Sequence, residues 1–171
     1  MPDSNGSSHN TFLSTYPIPQ PRVLILGTMP SVKSLEDYFY YAHPRNAFWP
    51  ILFDLFAQTP SSDKKKRTQL IENHHLALWD VLHGCQRKGS LDQAIQQEVP
   101  NDIKGLLKKH PSIQTIAFNG QPAFKFYKRH LGPPTIPHLI LPSTSPAHAS
   151  KTKLQKQEEW AALLPCLLPK D

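Results

Sequence analysis

Arg22-Val-Leu-Ile-Leu-Gly27 is a continuous β-branched and aliphatic run stopped by a glycine. A short run with no alternating polar residue suits a strand buried on both faces, as in a parallel sheet covered by helices above and below. Downstream, residues 28–45 read as a loop. Asn46 then suits the cap of a helix whose apolar positions Phe48, Ile51, Leu52, Leu55 and Phe56 recur at helical spacing. Pro50 falls in the first turn, where no N–H is missed. Lys64-Lys65-Lys66-Arg67 opens a second helical stretch, 76–82 reads as a strand, and Ser90 with Asp92 starts another short helix. A strand at 115–118 runs through Asn119-Gly120 into a helix at 122–130. The last strand, 137–141, leads to a terminal helix with Trp160, Leu163, Leu164, Leu167 and Leu168 in one stripe and a kink at Pro165. Four strands alternating with helices predict an α/β fold, three-layer α/β/α, around a central four-stranded, mainly parallel sheet.

Upstream of the first strand, residues 1–21 are rich in Ser, Asn, Pro and Thr without apolar period. They are expected to form a flexible N-terminal arm, leaving 22–171 as a single domain. The length of 171 residues fits one ordinary core without disulfide or metal support. Two widely separated cysteines, Cys85 and Cys166, exclude a CxxC zinc ribbon and suit a reduced, cytoplasmic compartment. The sequence shows no secretory or membrane segment. A net charge of +6 favours a polyanionic partner such as nucleic acid, a signal shared with binders of small anions. The 18 prolines, about twice average usage, imply many fixed loops, where sites usually sit.

In a parallel α/β sheet ligands gather beyond the carboxyl ends of the strands. Three loops there stand out. Gly27-Thr28-Met29-Pro30-Ser31 allows close backbone approach at its glycine. Tyr40-Tyr41-Ala42-His43-Pro44-Arg45-Asn46-Ala47-Phe48-Trp49 is dense in aromatics around one amide. Leu141-Pro142-Ser143-Thr144-Ser145-Pro146-Ala147-His148 sets three hydroxyls between two prolines, donors suited to phosphate. Each also has an ordinary structural use: Asn46 as a helix cap, the tyrosines as core, Asn119-Gly120 as a turn, and the hydroxyl loop as a helix entry. Phe48 and Trp49 read as core, His43 as a structural residue beside Pro44, and Lys64 to Arg67 as a solvated helix start. The nine histidines show no HExxH spacing, so no metal is expected.

Together the three loops resemble the uracil-DNA glycosylase superfamily. Tyr41 to Trp49 is similar to the stretch after motif 1 of its mismatch-specific uracil and thymine glycosylases, and Pro142 to Ala147 to their motif 2. The closest resemblance within the superfamily is to the hypoxanthine-DNA glycosylases. It is carried by Gly27-x-x-Pro30, Tyr40-Tyr-Ala-His-Pro-Arg-Asn-x-Phe-Trp49, Gly89-Ser-Leu-Asp92 and Leu141-Pro-Ser-Thr-Ser-Pro-Ala147, and it spans about 22–165. The resemblance implies a cofactor-free, monofunctional glycosylase that hydrolyses the N-glycosidic bond of deoxyinosine in double-stranded DNA after flipping the base. Met29 stands where the mismatch enzymes carry a catalytic Asn, and the resemblance moves that role to Asn46, positioning water. It further implies that Tyr41 stacks on the flipped base, Asn119 bonds its Watson–Crick edge, and Gly27, Thr28 and Met29 line the pocket with backbone. Ser143, Thr144 and Ser145 would grip phosphates, while Pro146 and His148 would enter the duplex. Ser31 and His148 depart from the pattern, where Gly and Asn are usual.

Two alternatives stay open. One keeps the reaction on uracil, thymine or xanthine; the other is a non-catalytic DNA-binding module, or a nucleotide binder at Gly27. No GxxxxGK[ST] sequence supports the nucleotide binder. The expected protein acts as a monomer.

Overall fold

The structure, a computed structural model, describes residues 7–9, 20–37, 39–86 and 96–168. In chain order its elements are β1 (Ser7–His9), β2 (Val23–Gly27), α1 (Val32–Asp37), α2 (Phe48–Leu55), α3 (Lys64–Asn73), β3 (Leu76–Asp80) and β4 (Leu82–Gln86). Then come β5 (Gln96–Pro100), α4 (Ile103–Lys109), β6 (Thr115–Asn119), α5 (Gln121–Leu131), β7 (His138–Leu141), α6 (Lys153–Trp160) and a 3-10 turn, Ala161–Leu167. β3, β2, β6 and β7 form one four-stranded sheet in that order, and every pairing in it is parallel. The expected α/β architecture is what is found.

Burial on both faces explains the apolar runs. Val23, Ile25, Leu76, Leu78 and Ala117 point to one face, against α2, α3 and α6; Leu24, Leu26, Ala77, Ile116 and Phe118 point to the other, against α4 and α5. Every residue of β2 and of β6 is buried. The connection after β2 crosses the first face and the connection after β6 crosses the second. The chain therefore parts between the ends of β2 and β6, leaving a crevice at Gly27 and Asn119.

Several expectations change. The run 76–82 is two strands: it breaks at Val81, and β4 leaves for a second sheet, ordered β1-β4-β5. Val81 N donates to Gly27 O (2.8 Å) and Leu82 N to Thr28 O (3.0 Å), so the departing chain stays tied to the first loop. Within the expected arm, Ser7–His9 pairs antiparallel with Gly84 to Gln86, so this segment is not wholly without regular structure. α1 lies inside the stretch read as loop, and α4 was not expected. The helix expected from Ser90 and Asp92, with the Gly89 to Asp92 match, lies outside the described residues. The terminal stripe divides: Trp160 and Leu163 are fully buried, whereas Leu168 is 67% exposed. Pro165 cannot donate to the residue four before it, and the chain around it tightens into the 3-10 turn instead of a kinked α-helix.

Candidate active site

Gly27, Asp80 and Asn119 end three adjacent strands. Gly27 pairs with Asp80, and Leu26 with Phe118 one position earlier, so the three residues form a row at the carboxyl edge. By strand alternation all three side-chain positions lie on the α2 face. A Cβ on Gly27 would sit 2.6 Å from Asp80 Oδ1 and 3.0 Å from Tyr41 Oη. Only glycine leaves that space.

The loop after β2 is held by its own serines. Ser31 Oγ accepts from Ser34 N (3.1 Å), three residues on, which makes it the N-terminal cap of α1. Ser31 stands where glycine is usual, and this is its physical role. Ser34 Oγ, buried, accepts in turn from Ala42 N (3.1 Å), joining the first loop to the aromatic loop. Thr28 and Met29 are buried too; the Met29 side chain packs into the cluster on the α4–α5 face, so the site receives only its backbone.

In the aromatic loop, Phe48 and Trp49 are core, as their sequence context implies, and Tyr40 is core as well. Trp49 Nε1 donates to Tyr40 O (2.9 Å), and the Arg67 guanidinium lies over the Trp49 ring, where burial lowers its pKa. Tyr41 differs. It is half-buried, stacks on Phe48 with centroids 4.0 Å apart, and holds φ at 53°, a left-handed backbone that aromatic residues rarely adopt. Such a conformation is maintained by its surroundings and is typical of functional sites. Asn46 Oδ1 accepts from Phe48 N (2.9 Å), the first residue of α2. The capping role is real, though reached from one position before Ala47, the cap residue of α2. This bond fixes which end of the amide is oxygen and leaves one lone pair on Oδ1 and both Nδ2 hydrogens for a ligand.

The hydroxyl loop is where expectation and structure part most. Thr144 is 1% exposed, so its side chain cannot reach a DNA phosphate. Its Oγ1 accepts from Asn119 Nδ2 (3.0 Å), its N donates to Asn119 Oδ1 (3.0 Å), and its O accepts from Ala47 N (3.0 Å). Thr144 is therefore the residue that joins the end of β6, the hydroxyl loop and the start of α2. Asn119, 8% exposed, spends one donor and one acceptor on this pair and keeps one of each. Gly120 holds φ at 102° and would place a Cβ 3.0 Å from Ser143 Cβ, so the Asn119-Gly120 pair packs the hydroxyl loop against the start of α5 and is more than a turn.

The rest of the loop faces outward. Ser143 Oγ accepts from Ser145 N (3.2 Å), and Ser145 Oγ from Ala147 N (3.2 Å). Pro146 and Ala147 are exposed and His148 is half-buried, its Nε2 3.4 Å from Ser150 Oγ. Two groups brace the loop from α6. Trp160 Nε1 donates to Pro142 O (2.9 Å), and Lys156 Nζ, buried beneath the loop, reaches Ser145 O at 3.4 Å. Burial pushes the Lys156 amine below the usual lysine range.

Thus the structure brings Gly27, Tyr41, Asn46, Asn119 and Thr144 into one connected unit and sets Ser143, Ser145, Pro146 and His148 on its outer rim. Asp80 joins the unit although the sequence reading passed over it. Its signal is a lone carboxylate closing the apolar run Leu76-Ala-Leu-Trp-Asp80. Among the described residues no three His, Cys, Asp or Glu side chains stand together as metal ligands, and no helix is long and apolar enough to cross a membrane.

Residues 13–165 match the Uracil DNA glycosylase superfamily. Two relatives, from Methanosarcina acetivorans and Methanosarcina barkeri, carry the name hypoxanthine DNA glycosylase. The first is 34% identical over 82% of this chain and 89% of its own. The second is 30% identical over 81% and 87%. The solution NMR structure of a Methanosarcina acetivorans protein, named for the uracil DNA glycosylases, superimposes with a TM-score of 0.69 at 31% identity. That match covers 86% of this chain and 91% of the other. With its match running from before the first strand of the parallel sheet into the terminal turn, the chain belongs to the uracil DNA glycosylase superfamily.

Proposed function

We propose that the protein is a monofunctional DNA glycosylase that hydrolyses the N-glycosidic bond of deaminated bases in duplex DNA, with hypoxanthine in deoxyinosine as its preferred substrate. The observation that carries this reading is the Asn119–Thr144–Ala47 chain of hydrogen bonds, which locks three loops together beside Asn46 at the crevice of the sheet. The names of the Methanosarcina relatives support the choice of hypoxanthine.

Hydrolysis needs the base out of the stack and water held below a sugar approaching an oxocarbenium ion. Asn46 supplies the water site: its Oδ1, oriented by Phe48 N, accepts from the water through its second lone pair. Tyr41, held in place by its stack on Phe48, stacks on the flipped base. Asn119 uses its remaining donor and acceptor on the Watson–Crick edge. The backbone of Gly27, Thr28 and Met29 lines the floor. Ser143 and Ser145 contact phosphates, and Pro146 with His148 enters the duplex to hold the extruded state. Thr144 supports this rim from inside. The protein acts in the cytoplasm as a monomer, and two cysteines widely separated in the sequence support the reduced compartment.

The test is release of base from matched duplexes carrying hypoxanthine, uracil or xanthine, and from a G/T mismatch, under single turnover. Release of hypoxanthine ahead of the others is the expected result. Preference for uracil or thymine would move the substrate to the mismatch class, and salt-dependent binding without any abasic product would leave a DNA-binding module.

A further inference from the structure

We propose that Arg45 binds the DNA backbone beside the flipped nucleotide, as the charged arm of a phosphate clamp whose neutral arm is the hydroxyl loop. This rests on the glycosylase reading above and names the residue that supplies charge to its grip on DNA.

His43-Pro44-Arg45-Asn46 close a β-turn: Asn46 N donates to His43 O (2.9 Å), and Pro44 takes the position where its fixed φ is favoured. The His43 ring adds a second brace, its Nδ1 accepting from Arg45 N (3.1 Å). Pro44 and Arg45 are both exposed. The backbone of Arg45 is therefore held from two sides, one residue before the amide assigned to water, while its side chain stands in solvent. Ala47, two residues on, donates to Thr144 O (3.0 Å), so the turn and the hydroxyl loop flank a single hydrogen bond.

The distribution of charge around the site gives this arginine its task. The hydroxyl loop, 142–150, holds no lysine or arginine. Its serines are neutral donors, which orient a phosphate without neutralising it. The cations on the helices that frame the site are engaged: Lys33 pairs with Asp37, Lys151 with Glu159 and Lys153 with Asp54, while Lys156 is buried beneath the loop. Arg45 has no carboxylate partner among the described residues. A guanidinium fork matches two phosphate oxygens, and its charge releases condensed counterions from the duplex. Phosphates gripped on both sides of the Ala47–Thr144 bond keep the sugar between them from swinging away from Asn46, which one contact alone would permit.

The experiment measures binding of the full chain to a duplex carrying 2′-fluoroarabino-hypoxanthine, a nucleotide whose fluorine suppresses hydrolysis, for wild type, Arg45→Met and Arg45→Lys. Each phosphate near the modified nucleotide is replaced in turn by an uncharged methylphosphonate. In wild type, replacement at one flanking position is expected to lower affinity about 10-fold, the scale of one hydrogen bond to a charged group. In Arg45→Met the same replacement should change almost nothing, while the other positions keep their wild-type effects. The slope of log affinity on log salt should become shallower by about 0.9 in Arg45→Met and return in Arg45→Lys. Urea midpoints report folding. A folded Arg45→Met whose methylphosphonate profile matches wild type overturns the clamp even if its salt slope is shallower, because the arginine then acts only through the general field of the protein. Base release by wild type from the ordinary hypoxanthine duplex leaves the glycosylase reading intact in that case. Its absence overturns that reading, together with the flipped nucleotide on which the clamp closes.

Discussion

Replacing Thr144 by Val keeps the side-chain shape and deletes the oxygen that Asn119 Nδ2 donates to at 3.0 Å. Thr144 is 1% and Asn119 8% exposed, so water has little room to replace the lost acceptor. An orphaned amide donor in such a place costs about 1 to 3 kcal/mol. Replacing Asn119 by Leu instead strands two groups of Thr144, its N–H and its hydroxyl, for about 2 to 6 kcal/mol by the same rule. The double variant strands only the Thr144 N–H and should lose less than the two single losses together. The expected coupling is at least about 1 kcal/mol, large beside a domain stability of about 5 to 15 kcal/mol. Urea denaturation of the four proteins gives it, provided the m-value stays constant. Single-turnover base release on the same proteins should fall in Thr144→Val, because Thr144 O also holds Ala47 N, next to Asn46. Losses that add to within about 0.5 kcal/mol would refute the claim that these residues act as one clamp.

Gly27→Ala should be far more harmful to activity than to stability. The new Cβ would meet Asp80 Oδ1 at 2.6 Å and Tyr41 Oη at 3.0 Å, and overpacking of about 1 to 3 kcal/mol is partly offset by the lower chain entropy of Ala. Full base release by a folded Gly27→Ala protein would contradict a role for this tightly packed strand end in the site. Lys156→Met tests the buried amine beneath the hydroxyl loop. Burial lowers the folded-state pKa of Lys156, so the unfolded chain binds more protons between that pKa and about 10.5, and wild type gains stability as pH rises through this window. The variant, which has no charge to bury, should therefore show its greatest stability relative to wild type near neutral pH, with the gap closing toward pH 10. Urea midpoints that stay parallel across pH would show that the amine is not desolvated in the fold.

The parallel sheet was legible because its strands are buried on both faces, which forces unbroken apolar runs such as Val23 to Leu26. The second sheet was not, since Ser7–His9 and Gln96–Pro100 are largely polar and are held by backbone pairing with β4, which leaves no period in the side chains. The same limit hid the break at Val81, where the apolar run passes from one sheet to another without a turn residue. Within the site, Asn46, Tyr41 and Gly27 were found because their local sequences are unusual. Thr144 was mistaken for a phosphate ligand, because a hydroxyl looks alike whether it faces solvent or the end of a strand 25 residues away. Asp80 was passed over for a related reason: its neighbour Gly27 is distant in sequence, and only the register of β2 on β3 sets one beside the other.

The most direct test of the account compares wild type with Asn46→Ala in single-turnover release of hypoxanthine from an inosine-containing duplex, alongside duplex binding at fixed salt. Loss of the Phe48 N–H cap should lower stability by about 1 kcal/mol, which a urea melt reads separately. The account predicts release by wild type and a rate at least about 100-fold lower in the variant, with duplex affinity kept because phosphate contacts supply it. Equal release by the two proteins would remove Asn46 from the mechanism, and absence of release by wild type would contradict the activity itself.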